Sequence, residues 1–410
     1  MEKKLKLYDI YFIGLGYIVG AGIYSLLYLV TKHGKNYTWL SFLIGGIISM
    51  FTALSYSDLS NHFDSSSSEY DYITIGLTNN RFKKIIAYGL ISIGILMLVT
   101  LCLAFSNILK KIFKHVSYNL IVGCIILIPT IINIYNVKTT SNINIGISIL
   151  ETGTLILLIL LCFFGNYDNK ITKFKNITKT KSISWDGVIY GAFISIFAYA
   201  GFETIPKLAD DTLESKKTIS KGIIYSLISV IVLYIGVSLS VNKLLGYHNA
   251  GNTINPITYA YNILLGSKST KVINVITLFS IFNTILLSIL FSSRQIYGIA
   301  KKNVLPTIFK TINKSTNTPI YCILVVSVIA YLLCLFTNIN VSTRLSNTIL
   351  LILFILINLA SIVLAYKGKI SVNGFSFSKN KNKNPGNISY YSIIGFSFSL
   401  GLLIKSLNII

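Results

Sequence analysis

The amino-acid sequence predicts an all-α, polytopic membrane protein. Of its 410 residues, 53% are hydrophobic and only 12% are charged, and the mean hydropathy is +0.69. Soluble domains carry about 25% charged residues, so a water-soluble core is excluded. Apolar runs of about 20 residues, the length that crosses a bilayer as a helix, recur along the whole chain.

Eleven such runs are the predicted membrane helices. They cover roughly residues 8–31, 38–58, 83–111, 119–137, 143–165, 186–207, 221–244, 272–300, 318–338, 343–366 and 389–409. The first run is too long, and too poor in small residues at its end, for a cleaved signal peptide, so we expect it to be the first membrane helix. All five cysteines lie within the runs and all four histidines between them. Neither a metal cluster nor a disulfide framework is therefore expected.

The basic residues indicate how the chain is oriented. The 36 Lys and Arg residues give a net charge of +23, but they lie mainly in short loops and at helix ends. Because they form no continuous basic face, a nucleic acid is not expected as a partner. Cytoplasmic loops carry the excess of Lys and Arg, which favours a multi-pass protein of the cell membrane with a cytoplasmic N-terminus. The lysine-rich segment 170–181 then lies outside, as a solvated connection.

The first run is interrupted near its middle by four glycines, Gly14, Gly16, Gly20 and Gly22. A membrane helix that unwinds there exposes backbone groups that lipid cannot satisfy, so they must face protein, water or a bound solute. We expect unwinding between Val19 and Ile23. The alternative is close helix packing, because Gly16 and Gly20 form a GxxxG pair, and the sequence leaves both open.

The sixth run repeats this design. Gly201 follows the small residues Ala198 and Ala200, and Pro206 closes the run. Since glycine and proline both interrupt helices, the backbone is expected to unwind around residues 199–203.

The two predicted breaks lie five helices apart, and this spacing indicates an inverted repeat. Corresponding interruptions in the two halves of a chain point to a transporter whose solute site lies at the membrane midplane. The first repeat is expected at residues 1–165 and the second at 186–366, with residues 389–410 as a peripheral eleventh helix. The free N–H groups of residues 20–23 suit a carboxylate, and the freed carbonyls of residues 197–200 suit an ammonium group. A zwitterionic amino acid fits both.

The acidic residues point to possible coupling sites. All thirteen lie at or before Glu214, and most are expected in loops after the second and sixth runs. Glu151 and Glu203 instead lie inside runs, where an ionised carboxylate costs at least about 2.5 kcal/mol, so each should face a cavity or a partner. Ser288 and Ser292 offer hydroxyl groups for a cation site or for ordinary interhelical hydrogen bonds. A buried, protonated packing group is the alternative role for Glu151.

Four segments resemble a known family. They are GLGYIVGAGIY at 14–24, YSDLSNHFDSSSSEYDYI at 56–73, FAYAGFETIPKLADDTLESKKTISKGI at 197–223 and SSRQIYGIAKKNVLPTIFKTINKSTNTPI at 292–320. Together they resemble the amino acid–polyamine–organocation transporters, whose fold is the LeuT-like five-plus-five inverted repeat. The resemblance implies secondary active transport of amino acids or related amines, usually coupled to protons or sodium ions.

The resemblance also implies roles for residues at matching positions. It implies a carboxylate-binding turn at Gly20, Ala21, Gly22 and Ile23, and an amine-binding turn at Ala198, Tyr199, Ala200 and Gly201. Phe197 matches an aromatic gate over the substrate, and Glu203 matches the carboxylate of a Gly-Phe-Glu motif. The chain departs from the family pattern in lacking a twelfth helix. It also departs in having Glu151 at or near the position of a lysine in proton-coupled relatives.

Four charged residues are expected to form an inner gate. Asp58, Lys207, Asp210 and Arg294 lie at the inner ends of their helices in the proposed topology, and some of them should pair when that side is closed. A polyamine or organic cation carrier and an ion channel are the alternative functions. No helix has the continuous polar face of a channel. No catalytic residues are predicted either, because the runs contain no catalytic cluster.

Overall fold

The computed structural model describes residues 4–77, 82–112, 114–135, 137–165, 183–253, 255–373, 386 and 388–407. Over these residues the secondary structure is helical, apart from one isolated parallel β-bridge between Leu5 and Thr212. The lysine-rich segment 170–181 lies outside the described residues.

The α-helices of the described chain are, in order, α1 (Leu7–Gly34), α2 (Thr38–His62), α3 (Ser68–Leu77), α4 (Lys83–Ile112), α5 (Tyr118–Tyr135), α6 (Val137–Phe164), α7 (Trp185–Tyr199), α8 (Ser215–Asn252), α9 (Pro256–Leu265), α10 (Ser267–Lys301), α11 (Ile320–Phe336), α12 (Ile339–Tyr366) and α13 (Tyr390–Leu407). Short 3₁₀ segments cover Lys35–Tyr37, Phe202–Asp211 and Thr307–Lys310.

The predicted membrane helices are confirmed. Nine stretches of the described residues are long and apolar enough to cross a membrane, and two shorter apolar helices lie in α11 and α13. Together they account for all eleven predicted runs. The chain is therefore a polytopic membrane protein, and exposed apolar side chains such as Ile85 and Val232 face the lipid.

The two most deeply packed spans are α1 and α10, which are 76% and 78% buried. α1 lies at the centre and contacts α6, α7, α8 and α10. Glycines allow this close approach: a Cβ atom on Gly14 would lie 2.7 Å from the Ile205 side chain, and one on Gly20 would overlap the hydroxyl of Thr284.

The predicted break in the first run is wrong for this structure, because α1 is helical without interruption from Leu7 to Gly34. The physical reason is close helix packing, the alternative that the sequence left open. Gly16 and Gly20 face neighbouring helices at distances that a side chain would not allow, so these glycines serve close helix packing. The N–H groups of residues 20–23 consequently lie within a helix and form no free anion-binding turn.

The predicted break in the sixth run is confirmed. α7 ends at Tyr199, Ala200 is extended with φ −58° and ψ 143°, and Gly201 has φ 133°. The chain then continues as the 3₁₀ segment that contains Pro206. Glycine is needed at the break because residues with a Cβ rarely adopt this φ, and a Cβ would lie 2.7 Å from the Tyr17 ring.

The eleventh predicted helix is α13, which packs against α2 and α12. Hydroxyl groups connect these helices inside the bundle: Ser55 Oγ lies 2.7 Å from Asn358 Oδ1 and 2.8 Å from Ser392 Oγ. This helix is thus attached through buried polar contacts, a common device between membrane helices. The repeat boundaries at residues 1–165 and 186–366 stay predictions.

Replacing Gly201 with Ala should destabilise the protein, because the positive φ alone costs about 1–3 kcal/mol and the new Cβ would press on Tyr17. Gly89→Ala is the matched control, since no atom of the described residues lies within 4 Å of its Cβ position in the exposed part of α4. The control should leave the Tm unchanged or raise it, whereas Gly201→Ala should lower it. Equal melting temperatures for the two variants in detergent would contradict the assigned break.

Candidate functional site

The centre of the candidate site is the place where the end of α7 crosses α1. Tyr234 of α8 lies between the two helices, with its hydroxyl 2.9 Å from the Ile18 carbonyl and 3.1 Å from the Ala198 carbonyl. Gly22 packs against the same spot, where a Cβ would overlap Ala198 O and the Tyr234 hydroxyl. We call this the α1–α7 crossing. Tyr234 was missed in the sequence, because nothing in the apolar α8 distinguishes it from a packing tyrosine.

The broken backbone after α7 is satisfied by side chains of its own segment. The Gly201 N–H donates to Glu203 Oε2 at 2.6 Å, and the Thr204 hydroxyl donates to the Gly201 carbonyl at 2.6 Å. Glu203 is only 1% exposed, and its Oε1 has no hydrogen-bond partner among the described residues. A buried polar atom without a partner is rare and calls for an explanation.

The other residues predicted for substrate binding occupy varied surroundings. Val19 and Ile23 are completely buried in α1. The Tyr199 hydroxyl donates to the Phe42 carbonyl of α2 at 2.9 Å. Phe197 is half-buried and makes an edge-to-face contact with Phe193, with ring centroids 5.6 Å apart.

Glu151 lies inside α6 and is completely buried. Its Oε2 is hydrogen-bonded to the Ser280 hydroxyl of α10, and that hydroxyl is also 3.1 Å from the Gly20 carbonyl of α1. The Ser280 hydroxyl is thus placed to donate to the Glu151 carboxylate or to the Gly20 carbonyl. Glu151 is thereby connected to the glycine-rich part of α1.

The predicted hydroxyl neighbours on α10 are separated from Glu151. Ser288 Oγ lies 3.0 Å from the Tyr17 hydroxyl, next to the Gly201 break. Ser292 faces α4, where its Oγ would be 2.6 Å from a Cβ on Gly94. The residue that meets Glu151 is Ser280. Sequence reasoning missed it because α10 carries several serines and the sequence does not show which of them faces α6.

Charged side chains close the end of the bundle at which α1 begins, here called the N-terminal face. Arg294 Nε of α10 donates to Asp211 Oδ2 at 2.7 Å, and both residues are buried. The N–H groups of Lys4 and Leu5 donate to the Asp211 carbonyl at 2.9 and 3.0 Å. The segment before α1 therefore covers the end of the 3₁₀ segment.

A second buried group of charges surrounds Glu69 of α3. This carboxylate accepts hydrogen bonds from the Tyr56 hydroxyl at 3.1 Å and from Gln295 Nε2 at 2.7 Å, and it pairs with Lys207 Nζ at 3.3 Å. We call these four residues the Glu69 cluster. It joins α2, α3, α10 and the 3₁₀ segment.

The prediction that the acidic residues after the second and sixth runs lie in loops is wrong for four of them. Asp58 belongs to α2, Glu69 and Asp71 belong to α3, and Asp211 belongs to the 3₁₀ segment; all four are buried. Their paired or hydrogen-bonded carboxylates can be buried at acceptable cost. The expected pairing among the gate residues also takes a different form. Arg294 pairs with Asp211, Lys207 with Glu69 and Asp210 with Lys301, while Asp58 accepts a hydrogen bond from the Asn373 N–H at 3.2 Å.

A discontinuous helix packed at its break against a glycine-rich helix, in the middle of a membrane bundle, is typical of secondary transporters. A family model described as amino acid permease matches residues 5–406, so the chain belongs to the amino acid permease family.

Individual relatives have low sequence identity to this chain, but the similarity extends over most of its length. The chain is 24% identical over 389 residues to the methylthioribose transporter of Bacillus subtilis (strain 168), covering 90% of this chain and 82% of that protein. It is 21% identical over 390 residues to the branched-chain amino acid permease BcaP of the same organism, with 90% and 82% covered. With the mitochondrial cationic amino acid transporter 3 of Arabidopsis thaliana it shares 25% identity over 395 residues, covering 89% of this chain and 63% of that longer protein.

A solved structure confirms the predicted fold class. The chain is similar to Mhp1, a nucleobase-cation-symport-1 family transporter, in a closed conformation with bromovinylhydantoin bound. The TM-score is 0.51 and the identity 12%, with 99% of this chain and 93% of Mhp1 covered. The LeuT-like helix bundle expected from the sequence is thus the fold of this chain.

Glu69→Gln should lower the free energy of unfolding by about 3–5 kcal/mol, because it leaves the buried Lys207 charge without its carboxylate. Lys301→Met is the control, since its pair with Asp210 is half-exposed and such pairs contribute about 0–1 kcal/mol. Adding Lys207→Met to Glu69→Gln should restore most of the loss. Equal losses in denaturant unfolding for Glu69→Gln and Lys301→Met would contradict the cluster.

Proposed function

We propose that this protein is a secondary transporter that carries amino acids or related amines across the cell membrane by alternating access, and that it acts as a carrier and not as an enzyme. The observation that supports this most directly is the α1–α7 crossing. There the break in α7 brings the Ala198 carbonyl within reach of α1, next to Gly22, where a side chain is excluded.

The acceptor groups at the crossing suit an ammonium group. The Ile18 and Ala198 carbonyls are both approached by the single hydroxyl of Tyr234, which has one hydrogen to donate. An ammonium group has three hydrogens, so a substrate amine can satisfy both carbonyls at once.

The closed N-terminal face supports the proposal of alternating access. The Arg294–Asp211 pair, the Glu69 cluster and the segment before α1 all hold that face shut. Transport requires these contacts to separate when the site opens to that side. We propose that the N-terminal face is cytoplasmic, so that this structure has the inner side closed and Arg294 and Asp211 act as an inner gate.

Uptake into proteoliposomes tests the function. The candidate substrates offered in this assay should include branched-chain and cationic amino acids, methylthioribose and polyamines. A carrier gives uptake that saturates and that accelerates when unlabelled substrate is loaded inside. Linear, unaccelerated flux would indicate a channel, and chemical conversion of the substrate would indicate an enzyme.

Gly22→Leu tests the location of the site in the same assay. The added side chain would occupy the α1–α7 crossing, so we expect loss of substrate-induced thermal stabilisation and of uptake. Gly153→Leu on α6 is the matched control, because its Cβ position has no neighbour within 4 Å in the described part of the chain, and it should behave like the unmodified protein. Both proteins must remain monodisperse. Unchanged substrate affinity in Gly22→Leu would rule out this site.

Glu203 and Glu151 are proposed to differ in their coupling roles. Glu203 adjoins the break, and its Oε1 has no hydrogen-bond partner in the described part of the chain. A conformational change can therefore expose it to water, where a carboxyl group releases its proton more readily than in a dry site. Glu151 is held by Ser280 within intact helices and suits a sodium ligand or a permanently protonated packing group.

Glu203→Gln should preserve exchange of substrate across the membrane but remove the dependence of net uptake on a pH gradient. Glu151→Gln should retain that dependence. Uptake by each variant is measured with an imposed pH gradient and, separately, with a sodium gradient. Gradient-driven accumulation by Glu203→Gln would exclude its role, and a sodium requirement lost in Glu151→Gln would assign coupling to α6.

A further inference from the structure

An apolar crevice opens on the outside of the bundle, and none of the residues that line it belongs to the α1–α7 crossing. It has a volume of about 240 Å³ and lies between the end of α4, the start of α5 and Phe282 of α10. Buried Phe105, Ile121 and Ile125 line the crevice, while Leu120 and Ile128 at its edge are 58% and 50% exposed. We call it the α4–α5 crevice.

The crevice faces lipid. Its exposed residues belong to α5, a membrane span that is only 39% buried. The lining from Leu120 to Ile128 extends about 12 Å along the helix at 1.5 Å per residue. This is most of the depth of one leaflet, since the hydrocarbon core is about 30 Å thick. A single acyl chain therefore matches both the chemistry and the length of the crevice.

The mouth of the crevice carries positive charge. Lys114 and His115 in the α4–α5 connection are exposed, and Lys110 Nζ donates to the carbonyls of Lys114 and Val116 at 2.9 and 2.6 Å. These bonds fix the Lys110 charge beside Val116, which lines the crevice. The sequence has no Asp or Glu between residues 71 and 151, nor after residue 214, so α4, α5, α10 and α11 supply no counter-charge.

We propose that the α4–α5 crevice binds an anionic phospholipid, with one acyl chain between α4 and α5 and the phosphate at Lys110, Lys114 and His115. The crevice lies at the end of the bundle opposite the N-terminal face. In the proposed orientation this is the outer side, where the positive-inside rule predicts few lysines. A bound anionic headgroup accounts for the cluster. The floor residue Phe282 adjoins Asn283 and Thr284, which contact the glycine face of α1, so the lipid would brace α10 against α1.

The rate at which Cys124 is alkylated reports whether the α4–α5 crevice holds a lipid. It lines the crevice and is exposed, whereas the other four cysteines of the chain are buried. We expect dioleoylphosphatidylglycerol to slow alkylation of Cys124 by N-ethylmaleimide in detergent, and dioleoylphosphatidylcholine at equal concentration to slow it much less. A lysine near an anionic lipid contributes roughly fivefold in affinity, so Lys114→Gln should shift the protecting concentration upward by about fivefold.

Cys124→Ala combined with Leu160→Cys is the matched control, because Leu160 is 48% exposed on α6 and does not line the crevice. Its alkylation should respond equally to both lipids. Ile128→Trp should fill the crevice, and native mass spectrometry should then retain one fewer phosphatidylglycerol than for the unmodified protein. Equal protection of Cys124 by the two lipids, or unchanged lipid retention in Ile128→Trp, would overturn the proposal.

Discussion

The structure depends on the requirement that every backbone polar group inside a membrane be hydrogen-bonded by the protein itself. Ending α7 in the middle of the bundle violates this requirement locally, and three side chains restore it. Glu203 accepts a hydrogen bond from the Gly201 N–H. The Thr204 hydroxyl donates to the Gly201 carbonyl, and the Tyr234 hydroxyl donates to the Ala198 carbonyl. Two of these groups belong to the 3₁₀ segment, while the third belongs to α8 and also reaches Ile18 of α1. The break is therefore stable only while α1, α7 and α8 stay together.

The buried charges follow a related logic. An isolated charge in an apolar interior is costly, and breaking one partner of a buried pair costs more than the pair contributes. At the N-terminal face Asp211 pairs with Arg294, and Glu69 meets Tyr56, Gln295 and Lys207. Deeper in the bundle, Glu151 and Glu203 each have one oxygen without a partner among the described residues. The contrast supports the proposal that Glu151 and Glu203 are available for a proton or an ion, whereas Glu69 and Asp211 hold the bundle closed.

Sequence reasoning predicted what depends on composition and local chemistry. The eleven helices follow from apolar length, and the break at Gly201 follows from a glycine and a proline close together. It failed at α1, because glycines serve both unwinding and close packing, and only the neighbours Thr284 and Ser148 decide between these roles. It also failed for Glu69 and Asp211, since hydropathy assigns acidic residues to loops and contains no information about bases supplied by distant helices. Tyr234 and Ser280 were missed because the sequence does not show which polar side chains of an apolar helix face a partner inside the bundle.

Asp211 joins two kinds of contact. Its carboxylate holds Arg294, and its backbone carbonyl accepts the N–H groups of Lys4 and Leu5, while the Leu213 N–H donates to the Leu5 carbonyl at 2.9 Å. A movement that pulls Asp211 away from the start of α1 must release these three amide hydrogens together. Deuterium uptake at Lys4, Leu5 and Leu213 thus reports directly how often the N-terminal face opens, without a label or a substitution in the gate.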